Sequence, residues 1–155
     1  MAGCAATLAV VTGPACPAVL PCGGWRAGLA WHRDSGNRGV SLTKAFGDFR
    51  GGDLKYWGED DGSLSLEQLK QFPAAVLKTR EALCLFDGRR AHEVEPFSGE
   101  RYSLVFFCTS AFARAREDAV AFVCSLGAHM PTTASLPRAG RLAPARGYDL
   151  GRQQR

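Results

Sequence analysis

The chain has no apolar run near the ~20 residues that a membrane-spanning helix needs. Its six cysteines contain no C-x-x-C pair, it has no internal repeat, and it holds only three histidines in 155 residues. Each shortage excludes something. Without paired cysteines there is no zinc-ribbon or thioredoxin-type signature, and the chain is too long for a small disulfide scaffold. No basic n-region precedes the apolar start MAGCAATLAVVTGPACPAV, so a secretory signal is disfavoured. The expectation is an intracellular protein of the cytoplasm or nucleus, with Cys84 and Cys108 as reduced core residues. Charge of one sign is also lacking in the body. The net charge of +4 comes from residues 129–155, which carry five arginines and one acid, while the other 128 residues balance 14 basic against 14 acidic side chains. A neutral body gives little support to a nucleic-acid partner, and a basic tail reads first as a solvated terminus.

What is present is ordinary globular composition, 46% hydrophobic and 22% charged, at a length that suits one domain. Residues 1–24 form an irregular N-terminal segment, with a candidate strand over 6–11 and a proline-broken loop over 13–24. Residues 25–110 hold short runs that read as strands at 25–34, 40–46, 53–57, 76–79, 82–86, 91–95 and 101–109. The segments 47–52 and 96–99 read as turns, and 64–72 as a helical turn or loop closed by Pro73. The strand over 101–109 is apolar on both faces and predicts deep burial. Many short, regularly spaced strands predict an all-β core, a double-sheet jelly roll. Ser110 reads as the N-cap of a C-terminal helix over 111–127, with Phe112, Ala115, Ala119, Phe122 and Val123 on one stripe. Residues 128–155 read as a disordered basic tail.

The histidines carry the chemistry. His32 and Asp34 lie two apart, so on a strand they share a face. His92 follows in FDGRRAHEVEPF, and Arg101 opens an apolar strand nine residues on. Two imidazoles and a carboxylate are the ligand set of non-haem Fe(II) sites with open positions. Mononuclear zinc is the other metal that such a set takes. Taken singly, the motif pieces are unspecific: H-x-D also occurs as surface polarity, His92 has charged neighbours on both sides, and His129 belongs to the tail. An arginine entering a buried strand needs a counter-charge. Glu95 or Asp87 would be a structural partner. The sharper reading is that Arg101, with Ser103 on the same face, grips a ligand carboxylate.

HRDSGNRG, DFRGGDL, LFDGRRAHEV and GERYSLVFF stand in this order between residues 25 and 107. In order and spacing they resemble the 2-oxoglutarate- and Fe(II)-dependent dioxygenases, and more loosely their prolyl-hydroxylase and nucleobase-oxidising branches. The resemblance implies a double-stranded β-helix (jelly roll) and iron on His32, Asp34 and His92. It implies 2-oxoglutarate as cosubstrate, its far carboxylate on Arg101 and Ser103; in the strand reading Asn37 and Ser41 face the same mouth and are further candidate contacts to cosubstrate or substrate. It also implies hydroxylation of a substrate with release of succinate and carbon dioxide. The apolar strands around Phe86 and Phe106 are the expected dry walls. Lys55 and Trp57 read first as part of an amphipathic edge strand, and only second as phosphate and stacking contacts. The substrate is open between a nucleobase, a protein side chain and a small molecule, with no membrane partner and with nucleic acid weakly supported. Family members carry more structure ahead of the H-x-D strand than the two dozen Pro- and Gly-rich residues here, so a core short at that edge is expected. The alternatives are a non-catalytic or truncated jelly-roll binding domain and a cupin-like protein that holds a metal or small ligand.

Overall fold

The structure is a computed structural model; it describes residues 31–127, the backbone of 7–12, and scattered positions between 130 and 143. Nine strands lie among these residues: β1 (Thr7–Thr12), β2 (Ser41–Phe46), β3 (Phe49–Gly51), β4 (Leu54–Tyr56), β5 (Ala75–Leu77), β6 (Cys84–Phe86), β7 (His92–Val94), β8 (Phe97–Gly99) and β9 (Tyr102–Phe107). They make three antiparallel sheets, ordered β1-β9-β2-β6, β3-β8 and β5-β4-β7. The described fold is therefore mostly β. No helix among the described residues is long and apolar enough to cross a membrane.

Alternation along β2 explains its placement. Ser41, Thr43 and Ala45 are buried, while Leu42 and Lys44 are half-buried and Phe46 is exposed. The same parity runs through β9. Ala45 pairs with Ser103 and Thr43 with Val105, so these residues share one face. The deep burial predicted for 101–109 does not hold: Tyr102 is exposed and Leu104, Val105, Phe106 and Phe107 are only half-buried. The buried positions there are Arg101, Ser103 and Cys108. One face of this sheet lines a cavity with Thr43, Ser103, Val105 and Phe107, while Leu42, Leu104 and Phe106 lie on the other face.

The apolar core lies under β4 and β7. Leu54, Tyr56, Phe86 and Val94 pack together, with Leu77 and Phe97 against them. Trp57, Leu69 and Ala91 form a second cluster with Trp31, Leu64 and Phe72. Burying each large apolar side chain contributes roughly 1.5–3 kcal/mol. A short helix, α1 (Leu66–Leu69), serves the second cluster. Ser65 caps it and Gln68 returns the bond to the Ser65 backbone, which satisfies donors that so short a helix leaves open. Leu69 is thereby fully buried, and its carbonyl accepts from the Trp57 indole at 3.0 Å.

Three expectations need correction. The segments 47–52 and 96–99 are not simple turns, because β3 and β8 pair within them. Gly51 and Gly99 have φ of 76° and 95°, and their turn-like composition hides a short ladder. The continuous helix expected over 111–127 is broken. A 3-10 turn (Ser110–Arg114) is followed by extended backbone at Ala115 and Arg116, and then α2 (Glu117–Ser125). Ser110 caps nothing; Arg116 occupies the N-cap of α2. The helical stripe is not packed, since Phe122 is 65% exposed. Gly127, at φ 84°, ends the helix as expected. The strand over 6–11 corresponds to β1, shifted by one residue. The expected loop over 13–24, most of the strand over 25–34 and most of the tail lie outside the described residues.

Candidate metal centre

His32 and His92 form an isolated antiparallel bridge. Each backbone N–H donates to the other residue's carbonyl at 3.1 Å. Residues paired in this way project to the same side of a ladder. The imidazoles consequently meet, ring centroids 4.4 Å apart. Asp34, two residues on, shares the side of His32. Its Oδ1 is 3.4 Å from His32 Nε2 and its Oδ2 is 3.9 Å from His92 Nε2. His32, Asp34 and His92 thus offer one ligand atom each within 4.8 Å of one another.

Neighbours fix these ligands. The Nδ1 of His92 bonds to the Arg90 carbonyl at 2.8 Å, which places its proton there and turns Nε2 to the site. Asn37 donates to Asp34 Oδ2 at 2.9 Å. The Asp34 N–H donates to the Gly88 carbonyl at 2.8 Å. A Cβ on Gly88 would come within 2.6 Å of Asn37 Nδ2 and 2.8 Å of Asp34 Oδ2, so any larger residue there must displace these side-chain ends. Charge is set accordingly. The His32 hydrogen bond and the two imidazoles lower the Asp34 pKa, against its desolvation. Burial lowers that of His92, against the pull of the Arg90 carbonyl. An ionised carboxylate and a neutral buried imidazole are the forms that bind a metal.

The three residues open onto a cavity of about 310 Å³, lined from two of the sheets. Leu54 and Val94 come from one. Thr43, Phe86, Ser103, Val105 and Phe107 come from the other, and Arg101 and Thr79 from adjoining loops. The expected wall residue Phe86 is there, but Phe106 is replaced by Val105 and Phe107, which have the parity of Ser103. At the mouth the His32 and Asp34 side chains are 39% and 37% exposed.

Arg101 is 6% exposed and lines this cavity. Its Nε donates to the Gly52 carbonyl at 3.1 Å, one terminal nitrogen to Ser103 Oγ and the other to Thr79 Oγ1 at 3.5 Å. Phe49 and Phe97 lie against the guanidinium, centroids 5.5 and 5.6 Å away. The structural partners Glu95 and Asp87 are not used: Asp87 binds Arg89, and Glu95 lies beside Lys55. Among the described residues no carboxylate forms an ion pair with Arg101. Burial accordingly lowers its pKa, with only Asp53 acting the other way.

His32, Asp34, His92, Asn37, Arg101 and Ser103 therefore meet at one cavity. Ser41 does not. It is 1% exposed, is not among the lining residues, and its hydroxyl has no hydrogen-bond partner. Its Oγ lies 3.5 Å from where a Cβ on Gly88 would stand, farther than Asp34 Oδ2 at 2.8 Å. Thr43 and Thr79 also line the cavity, though the sequence reading singled out neither. Thr43 was legible through its parity with Ser41 and Ala45, whereas Thr79 follows β5 in a loop and had no pattern to reveal it. Trp57 and Lys55 take their structural reading: Trp57 is buried in the core, and Lys55 is near Glu93 and Glu95.

Compared with family models, characterised proteins and solved structures, the chain gives no match.

Proposed function

We propose that the chain is an Fe(II)- and 2-oxoglutarate-dependent dioxygenase built on a double-stranded β-helix (jelly roll). One observation carries this reading. A His-Asp-His cluster and a buried guanidinium with no carboxylate partner among the described residues line the same cavity. Three protein ligands leave positions for cosubstrate and oxygen on a six-coordinate ion, and two imidazoles with one carboxylate suit Fe(II). The donor atoms fit that use: among the described residues, no lysine or arginine forms an ion pair with Asp34. A ferrous ion held there would supply oxygen activation coupled to decarboxylation of the 2-oxo acid.

The chain's own residues do the rest. Arg101 offers charge-assisted hydrogen bonds to the far carboxylate of 2-oxoglutarate, with Ser103 and Thr79 as neutral partners. A buried cation without a counterion favours an anionic ligand over water. Leu54, Phe86, Val94, Val105 and Phe107 keep the space between the two ends dry. Asn37 and Arg90 orient Asp34 and His92. The exposed sides of His32 and Asp34 mark the mouth as the approach for substrate, whether nucleobase, protein side chain or small molecule. Two sheets facing one cavity, and the pairing of β1 with β9 across most of the described sequence, support the jelly roll.

The test is release of succinate from 2-oxoglutarate by the purified chain, with and without Fe(II), against a panel of nucleic acid, peptide and metabolite substrates. Iron-dependent release that His92→Ala abolishes supports the assignment. A protein that retains zinc and never binds 2-oxoglutarate refutes it and favours the cupin-like reading.

A further inference from the structure

We propose that Asp60 is a positioning residue of the metal centre, tying the His32–Asp34 segment to the strand that carries His92. The proposal rests on the reading of His32, Asp34 and His92 as metal ligands. Arg33 stands between the first two ligands and points the other way. Its Nε donates to Asp60 Oδ2 and its terminal nitrogen to Oδ1, both at 2.8 Å. The same Oδ2 accepts from the backbone N–H of Ala91, the residue before His92, at 2.7 Å. Oδ1 also accepts from Gly62 at 3.0 Å. One carboxylate, its side chain 1% exposed, therefore takes four hydrogen bonds and holds both ligand segments from behind.

Its chemistry argues for positioning over stability alone. Replacing a buried ion pair with apolar side chains of similar size is often neutral or stabilising. What an apolar pair lacks is direction. Two parallel bonds to a planar guanidinium fix Arg33, and hence the residues flanking it. The bond to Ala91 sets the height of His92 opposite His32. The two 3.1 Å backbone bonds between the histidines close the same frame from the front. Partners of this kind behind metal ligands typically change affinity by about 10- to 100-fold.

The experiment is Co(II) titration of the purified metal-free chain, followed by visible absorption, at a temperature where circular dichroism shows each variant folded. Asp60→Asn is expected to lose Co(II) affinity about tenfold or more and to change the absorption band. Arg33→Lys, which keeps the charge and loses the two-bond geometry, is expected to reproduce most of that loss. A merely structural role would lower the melting temperature and leave affinity and spectrum of the folded protein unchanged. If Asp60→Asn does not fold, Arg33→Lys decides. Wild type that binds Co(II), with a folded variant that binds within twofold of it and gives the same spectrum, overturns the proposal alone. Wild type that takes up no Co(II) overturns the metal reading beneath it.

Discussion

His92 and Asp34 approach to 3.9 Å across a gap of 58 positions in the chain, and each carries the charge state that a divalent cation requires. His92 is held by the ladder to His32 and by burial against Phe86, ring centroids 5.2 Å apart. Asp34 is held by Asn37 and by the Gly88 carbonyl.

Removing the buried ligand should therefore remove the site and leave the fold. His92→Ala is expected to lower Co(II) or Fe(II) affinity at least 100-fold and to abolish 2-oxoglutarate consumption, while the far-ultraviolet spectrum stays native. The stability cost comes from a small cavity beside Phe86 and is about 1–2 kcal/mol. Metal titration and urea unfolding measure the two effects separately. Native affinity in this variant would show that the imidazole is not a ligand.

The same two groups set a pH dependence for the metal-free protein. Burial holds His92 below the ordinary histidine value of 6.5. Its contribution to stability is complete above 6.5, where both states are neutral, and drains away as the pH falls through the lower folded value. The hydrogen bond from His32 holds Asp34 below the ordinary 3.8, so its contribution is complete above that and is lost only in stronger acid. Urea midpoints measured above and below 6.5 should fall on the acid side, and His92→Gln should flatten that limb. A midpoint that does not change across this range contradicts the buried neutral imidazole.

Gly88 offers a sharper probe than deletion. Alanine there adds one carbon, and that carbon meets Asp34 Oδ2 and Asn37 Nδ2 well inside contact distance. Both are side-chain ends that can swing away, so the expected outcome is a folded protein with a displaced carboxylate. Metal affinity is expected to drop about tenfold, as for other changes to groups that orient ligands. Unaltered Co(II) binding in Gly88→Ala would mean that the carboxylate has freedom the packing does not show.

Much of this centre was legible because period-two alternation is local. His32 with Asp34, and Arg101 with Ser103, are pairs whose common face follows from spacing alone. The strands β2, β4, β6 and β7 fall inside the runs that their apolar residues mark. Contacts set by three-dimensional packing were not legible. Ser41 shares parity with Thr43, yet it is buried away from the cavity lining. Phe106 looked like a wall and stands on the opposite face from Ser103. Asp60 sits in the acidic stretch GEDDG, which reads as a surface turn, but Arg33 and Ala91 draw it inside. β3 and β8 escaped notice because glycine-rich segments signal turns whether or not they also pair. The break before α2 escaped because nothing in SAFARARED marks a stop: it contains neither proline nor glycine.

Arg101 makes the last prediction, and it separates function from stability. Its guanidinium is buried and no carboxylate of the described residues pairs with it, so in the empty protein it carries a desolvation cost. Against that stand its bonds to the Gly52 carbonyl and the Ser103 and Thr79 hydroxyls, and its contacts with Phe49 and Phe97. Arg101→Met keeps the aliphatic stem and the ring contacts, removes the charge, and takes a donor from the Gly52 carbonyl and from the Ser103 and Thr79 hydroxyls, which can turn to other partners, a loss of about 1–2 kcal/mol. Release of the unpaired charge offsets that loss by a similar amount or more, about 1–4 kcal/mol where buried ionic groups have been replaced by apolar ones. The variant's melting temperature should accordingly hold or rise. Its KM for 2-oxoglutarate should rise about 10- to 100-fold, the range expected for losing a charge-assisted hydrogen bond. Arg101→Lys should recover only part of it, because an ammonium cannot present two parallel donors. The measurements are thermal unfolding without cosubstrate and succinate release as a function of 2-oxoglutarate concentration. A sharp fall in melting temperature with unchanged KM would make Arg101 a structural residue and leave the cavity without its anion anchor.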